Sequence, residues 1–172
     1  MPRLRILRFD HATEYPLEVL ANNPTLGNLT HLLCHPHAQY PEDHVAYIRL
    51  DQLRAVCQSP HLRSLTHLQL RLTDFGDDGV EEVVASGVLK RLRILDLSNG
   101  CVTDRGAAIL AACPDLKNLS FLNLTRNALS EGGIAALKAT GVNVETGQQH
   151  DEHPDRMGEN GYLDYLCDGD ME

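Results

Sequence analysis

The stretch "SPHLRSLTHLQL" at residues 59–70 decides the fold, because "CPDLKNLSFLNL" at residues 113–124 rewrites it further along the chain. Pro and four Leu fall at the same five places in both. Working outward, each Leu-x-x-Leu-x-Leu aligns with four others. The copies are "LRILRF" (4–9), "LTHLLC" (29–34), "LTHLQL" (65–70), "LRILDL" (92–97) and "LSFLNL" (119–124), with a clipped sixth, "VNV", at 142–144. Their first residues are offset by 25, 36, 27 and 27. The lead-ins "LANNPTLGN", "VCQSPHLRS", "VVASGVLKR" and "LAACPDLKN" agree too, and Gly79, Gly106 and Gly133 recur at spacings of 27. A fixed period of this length is the mark of a repeat architecture.

The Leu-x-Leu portion has the two-residue period of a strand. A turn region follows ("TDFGDDG", "GCVTDRG", "NALSEGG"), then a helical stretch ("VEEVVASGVL", "AAILAACPDL", "IAALKATG"). In that stretch apolar residues recur at helical spacing: Ala107, Leu110 and Ala111, or Ile134 and Leu137. Strand, turn, helix and return make neighbouring strands parallel. One unit cannot bury its Leu side alone, so the units stack around a continuous core. Strands sit roughly 4.8 Å apart while helices need about 10 Å. The stack therefore curves, with a parallel β-sheet inside and helices outside. The α/β class and a solenoid of five repeats plus the clipped sixth follow.

This pattern resembles the leucine-rich repeat family over about residues 4–144. The 27-residue unit with full helices is similar to the ribonuclease-inhibitor-like class, and "VTDRGAAILAACPDL" is similar to bacterial repeats of that class. The resemblance implies a leucine-rich-repeat solenoid, yet fold does not fix function. The family places Asn after the strand, where it bonds the turn. Here that place holds Ala12, His37, Thr73, Gly100 and Asn127, so a continuous Asn ladder is not expected and the turns should be looser.

The 172 residues divide unevenly in charge. Residues 1–144 carry 14 basic and 15 acidic side chains, whereas residues 145–172 carry one basic and nine acidic. No cluster of Lys and Arg suits phosphate, so nucleic acid is not an expected partner. No apolar run approaches the roughly 20 residues of a membrane span, so no membrane partner is expected. The opening "MPRLRILRFD" lacks the apolar core of a signal peptide. Five Cys, without CxxC spacing, read as reduced thiols and a cytoplasmic location. The domains read as 1–144 for the repeats, 145–161 for an acidic linker, and 162–172 for a C-terminal segment that docks on the last repeat. The 36-residue offset marks an insertion of about nine residues near "PHAQYPEDHVAYIRL" (36–50), leading into a helix from about Val45.

With Leu inward, the concave face shows the x positions in three columns. The first is Ile6, His31, His67, Ile94 and Phe121; the second is Arg8, Leu33, Gln69, Asp96 and Asn123; the third is Asp10, His35, Arg71, Ser98 and Thr125. An apolar stripe with polar flanks on a rigid wall suits protein recognition. The expected protein-binding set is His31, Leu33, His35, His67, Gln69, Arg71, Ile94, Asp96, Phe121 and Asn123. No catalytic residue, cofactor or metal is expected, and the chain reads as a non-catalytic binding module for a protein partner. The alternative is an inhibitor of an enzyme or a regulator of a small GTPase, in which Arg71 or Arg126 at a strand-to-turn bend meets a phosphoryl oxygen.

The nine His are a reason to check for metal. His31 and His67 should be neighbours, while His31 and His35, four strand residues apart, lie about 13 Å from each other and cannot share an ion. "HDEH" at 150–153 offers two His with carboxylates in a polar acidic stretch, and solvated or hydrogen-bonded His is the plainer reading. Cys34 should point inward, and the adjacent His35 the opposite way, which removes the simplest Cys–His dyad. The acidic helix start Asp77, Asp78, Glu81, Glu82 is explained by the helix dipole. Finally, "LRILRF" should form an edge strand with unpaired backbone groups, an invitation to a second copy of the chain and hence to a homodimer.

Overall fold

The structure is a computed structural model that describes residues 4–10, 12, 14–37 and 46–150. Strands and helices alternate: β1 (Ile6–Asp10), α1 (Leu17–Ala21), β2 (His31–His35), α2 (Leu50–Gln58), β3 (His67–Leu70), α3 (Gly76–Ala85), β4 (Ile94–Asp96), α4 (Asp104–Ala112), β5 (Phe121–Asn123), α5 (Glu131–Ala139) and β6 (Val144–Glu145). The strands form one open parallel sheet in chain order. Each helix packs on the next, so sheet and helices make two layers with the Leu core between them.

The decisive phrase reads out as expected. Leu62, Leu65, Leu68 and Leu70, and their counterparts Leu116, Leu119, Leu122 and Leu124, are all buried. Pro60 and Pro114 stand just past helices α2 and α4, where a residue that cannot continue a helix belongs. Leu95 and Leu97 are buried as well. Full burial of such side chains contributes roughly 1.5–3 kcal/mol each. The stack continues past the boundary read at 144. Glu145 closes β6, and His150 N–H donates to Asn127 O at 2.7 Å. The expected insertion and C-terminal segment lie mostly outside the described residues. The helix read from about Val45 starts at Leu50 instead, because Ile48 is held extended by a bridge to Thr73.

Two ladders, absent from the sequence reading, hold the later repeats in register. The first is at the turns. Leu72, Asn99 and Arg126 recur at the repeat period, with φ of 53°, 54° and 52°. Each N–H donates forward to the next repeat: Leu72 to Ser98 O, Asn99 to Thr125 O, Arg126 to Gln148 O. The left-handed backbone is a recurring bend that continues inter-repeat pairing past the strand ends. For Leu72 the strain, of order 1–2 kcal/mol, is offset by complete burial of its side chain.

The second ladder is at the helix starts. Asp77 Oδ1 accepts from Thr103 N at 2.8 Å and Gly106 N at 3.1 Å, and its Oδ2 accepts from Thr103 Oγ1 at 2.6 Å. One repeat on, Asp104 accepts from Ser130 N at 2.9 Å and Ser130 Oγ at 2.5 Å. Thr103 and Ser130 are themselves the N-caps of α4 and α5. Each Asp thus satisfies amides at the start of the following helix. This also explains two of the three recurring glycines, whereas Gly79 makes room for the Phe75 ring. A Cβ on Gly106 would stand 2.5 Å from Asp77 Oδ1, and one on Gly133 would lie closer still to Asp104 Oδ1.

The Asn expected in only one repeat makes a stitch of its own. Asn127 Oδ1 accepts from Val102 N at 2.8 Å, and its Nδ2 donates to Leu97 O at 3.0 Å. Gly100 leaves room for this amide, since a Cβ there would approach Asn127 Oδ1 to 2.9 Å.

Candidate functional site

The first two columns of the open face form as the two-residue period requires. Register pairs Ile6, His31, His67, Ile94 and Phe121 across the sheet, and Arg8, Leu33, Gln69, Asp96 and Asn123 beside them. All but Ile6 and Arg8, which are exposed at the edge, are half-buried. The third column departs from expectation. Strands β3, β4 and β5 end before it, and the bend at Leu72, Asn99 and Arg126 turns the chain inward. Ser98 is buried, not displayed. Arg71 is half-buried, with Nη1 3.4 Å from His35 Nδ1, so the two side chains lie against each other.

Two members of the expected set are partly consumed by the turns. Asp96 Oδ1 accepts from Ser98 N at 2.9 Å, and Asn123 Oδ1 accepts from Thr125 N at 3.0 Å. These side chains tie strand ends to bends, which limits what they offer a ligand. The apolar members Leu33, Ile94 and Phe121 stay on the face, with Ile94 and Phe121 adjacent in register.

The centre of the first column is the most ordered part of the face. The rings of His31 and His67 stack, with centroids 3.8 Å apart and planes 17° from parallel. The repeated "LTHL" supplies the reason. Thr30 Oγ1 lies 2.9 Å from Arg5 O and 2.8 Å from His31 Nδ1, and its one proton serves one or the other, so the hydroxyl holds the ring by Nδ1 in either tautomer. Thr66 repeats the arrangement, bonding Thr30 O at 3.2 Å and His67 Nδ1 at 2.8 Å. Each threonine hydroxyl thus pins the following imidazole by Nδ1, which gives the two rings the same orientation. Burial, and then the neighbouring His31, hold the His67 pKa below the usual imidazole value. Two neutral imidazoles stack; two imidazolium ions would repel.

Stacked planes carry near-parallel lone pairs, which do not converge on one ion as a metal site requires. Among the described residues no group of three or more His, Cys, Asp or Glu is placed to hold a metal. Cys34 points into the core, and burial pushes its thiol, like that of Cys57, up to about 12, far from the lowered value a nucleophile needs. Arg126 sits in the bend with Nε 3.4 Å from Gln148 Oε1. No helix among the described residues is long and apolar enough to cross a membrane.

Fold and face together define an open repeat solenoid with a half-exposed wall of strand side chains. Among known proteins, residues 61–84 and 90–111 match the family described as Leucine Rich repeat, and with the stacked strand–helix units the fold is a leucine-rich-repeat solenoid. Repeats of this family generally mediate protein–protein interaction. A crystal structure of a protein from Bacteroides fragilis shares the fold, with a TM-score of 0.59 and 22% identity. The similarity covers 72% of this chain and 36% of that protein, so the chain spans about a third of its length. No curated protein sequence matches the chain.

Proposed function

We propose that this chain is a non-catalytic module that binds a protein partner on the open face of its sheet. The observation that carries the reading is the first column. Apolar Ile94 and Phe121 stand next to a stacked His31–His67 pair, each ring held at Nδ1 by a threonine hydroxyl. Such a column suits a partner segment that lays apolar side chains over Ile94 and Phe121 and sets polar groups or a flat ring against the imidazoles.

The test compares wild type with Ile94→Ser/Phe121→Ser and with His67→Ala. Capture from native lysate identifies the partner, and titration calorimetry gives its affinity for each form. The expected result is a loss of at least tenfold for the double variant with an unchanged melting temperature. A partner bound equally well by all three forms would move the site off this face.

The finer assignments belong to the same proposal. The 27-residue unit and helices of nine to ten residues support the ribonuclease-inhibitor-like, bacterial-type class. The buried thiols of Cys34 and Cys57 support a reducing, cytoplasmic setting. Inhibition of an enzyme is one consequence a docking wall can have. Regulation of a small GTPase would need Arg71 to leave His35, and Arg71→Ala tests it: GTPase stimulation lost with affinity retained. The exposed edge residue Ile6 supports a homodimer through β1. Sedimentation equilibrium of wild type and Ile6→Pro checks it, and a wild type that stays monomeric at high concentration rejects it.

A further inference from the structure

The repeat period gives an internal standard for what the last repeat lacks. Ala107 on α4 is completely buried; Ile134, its counterpart one repeat later on α5, is only half-buried. Leu122 on β5 is completely buried; its register partner Val144 on β6 is half-buried. Asp77 and Asp104 each reach forward to cap the next helix, whereas Glu131, the next in that series, is exposed at the end of the stack. β6 is the last strand of the sheet and bonds β5 through Asn143 O and Glu145 O. By strand alternation, Val144 turns its own N–H and C=O to the open side. Among the described residues the end is therefore an apolar patch, Ile134 and Val144, with a strand edge beside it that no further strand pairs.

The chain is delivered to this end. Gln149 is fastened into the last bend, its Nε2 donating to Leu124 O at 3.0 Å and its Oε1 accepting from Leu129 N at 3.0 Å. His150 N–H bonds Asn127 O. Beyond it the sequence runs through eleven mostly polar and charged residues, 151–161, to "YLDYL" at 162–166. That run spans at most about 36–40 Å when extended, so the apolar cluster is within reach of the whole end face. Four apolar side chains in five residues suit a patch lined by Ile134 and Val144. Glu131 and Glu145 flank the patch and the segment is itself acidic, so charge does not drive the contact.

We propose that Tyr162, Leu163, Tyr165 and Leu166 fold back onto the C-terminal end of the same chain, covering Ile134 and Val144 and closing the open edge of β6. This does not depend on the concave-face reading; one can fail while the other stands.

The experiment is nuclear magnetic resonance on the full chain with labelled Ile, Leu and Val methyl groups. Cross-peaks are expected from the ring protons of Tyr162 or Tyr165 to methyls of Ile134 and Val144, unchanged on tenfold dilution. In a Leu163→Ser/Leu166→Ser variant they should disappear. Amide exchange at Val144 should then rise at least tenfold, while exchange at Leu68 and Leu95 stays fixed. Ring cross-peaks to methyls of Leu7 or Leu20 would place the segment at the other end and overturn the proposal. Cross-peaks that vanish on dilution would assign the segment to a second copy and overturn it too. Their absence at every concentration, with equal Val144 exchange in both proteins, would reject it outright.

Discussion

The stretch before Leu72 and the stretch from Leu72 onward solve one problem, keeping successive repeats in register, by different means. The early strands are long, five, five and four residues for β1, β2 and β3. Their repeats are joined by side chains reaching back to an earlier backbone: Gln52 to Tyr15 O, Ser59 to Ala21 O, Ser64 to Gly27 O. The later strands shrink to three, three and two residues. There the Asp77 and Asp104 caps and the left-handed bends take over. Where the sheet supplies fewer bonds, the helix starts and turns supply more. The regular repeat period belongs to the second mode, because a cap that must meet the next helix fixes the length between them. The first mode tolerates the longer offset between the second and third repeats.

The comparison breaks first at the core, which both regions share. Leu122→Ala should cost roughly 2–5 kcal/mol in chemical denaturation, as should Leu68→Ala in the early region. A loss under about 1 kcal/mol at either would mean the register is misread there.

Gly106→Ala sharpens the contrast. Its new methyl collides with Asp77 and should cost about 1–3 kcal/mol, whereas Gly27→Ala, whose Cβ would have only ordinary contacts near 3.8 Å, should be close to neutral. Equal effects would remove the distinction between the regions.

A smaller effect concerns acid. Hydrogen bonds from the Ser130 hydroxyl and amide hold the Asp104 carboxyl below the usual carboxylate value. Its contribution is present above the unfolded pKa, about 3.9, and fades as pH falls through the lower folded value. Asp104→Asn should therefore shallow the acid limb of stability against pH. An unchanged limb would show that the cap is not made in solution.

Smallest is the His67 effect, and it runs the same way with pH for a different reason. Its folded pKa is lowered by burial and by His31. The folded chain binds fewer protons than the unfolded one, so stability drops as pH falls below the free imidazole value near 6.5. Replacing His67 by Gln should flatten that slope between neutral pH and about 5. Arg8 and Asp96 stand in the neighbouring column, and the Arg71–His35 contact lies toward the strand ends. The slope should therefore be read at high and low salt.

The sequence made the strands, the parallel order and the core legible, because Leu at two-residue spacing leaves one way to bury itself. It made the open face legible only as far as the strands run. Ser98 and Arg71 were placed by extrapolating alternation beyond strands that had already ended. Leu72 gives no hint of a left-handed bend, since Leu is not a residue that favours one. The Asp ladder was readable in principle: Asp77 with Gly79, Asp104 with Gly106, and Thr103 or Ser130 before the helix recur in step with the repeat. It was missed because an acidic helix start has a sufficient local explanation in the helix dipole, and nothing local says that the carboxylate serves a neighbour. The repeated Leu-Thr-His-Leu made the imidazoles legible as neighbours, but their stacking follows from the threonine hydroxyls that hold each ring by Nδ1.

The forward-reaching caps give the stack a direction in time. Asp77 has its amide partners only after the segment with Thr103 and Gly106 exists, and Asp104 only after Ser130. A chain synthesised from its N-terminus meets each acceptor already in place when the helix that needs it emerges. A whole repeat unit copied in tandem would carry its acceptor out at one seam and find one waiting at the other. Lengthening by duplication then leaves every joint chemically intact, whereas an insertion of any other length breaks one.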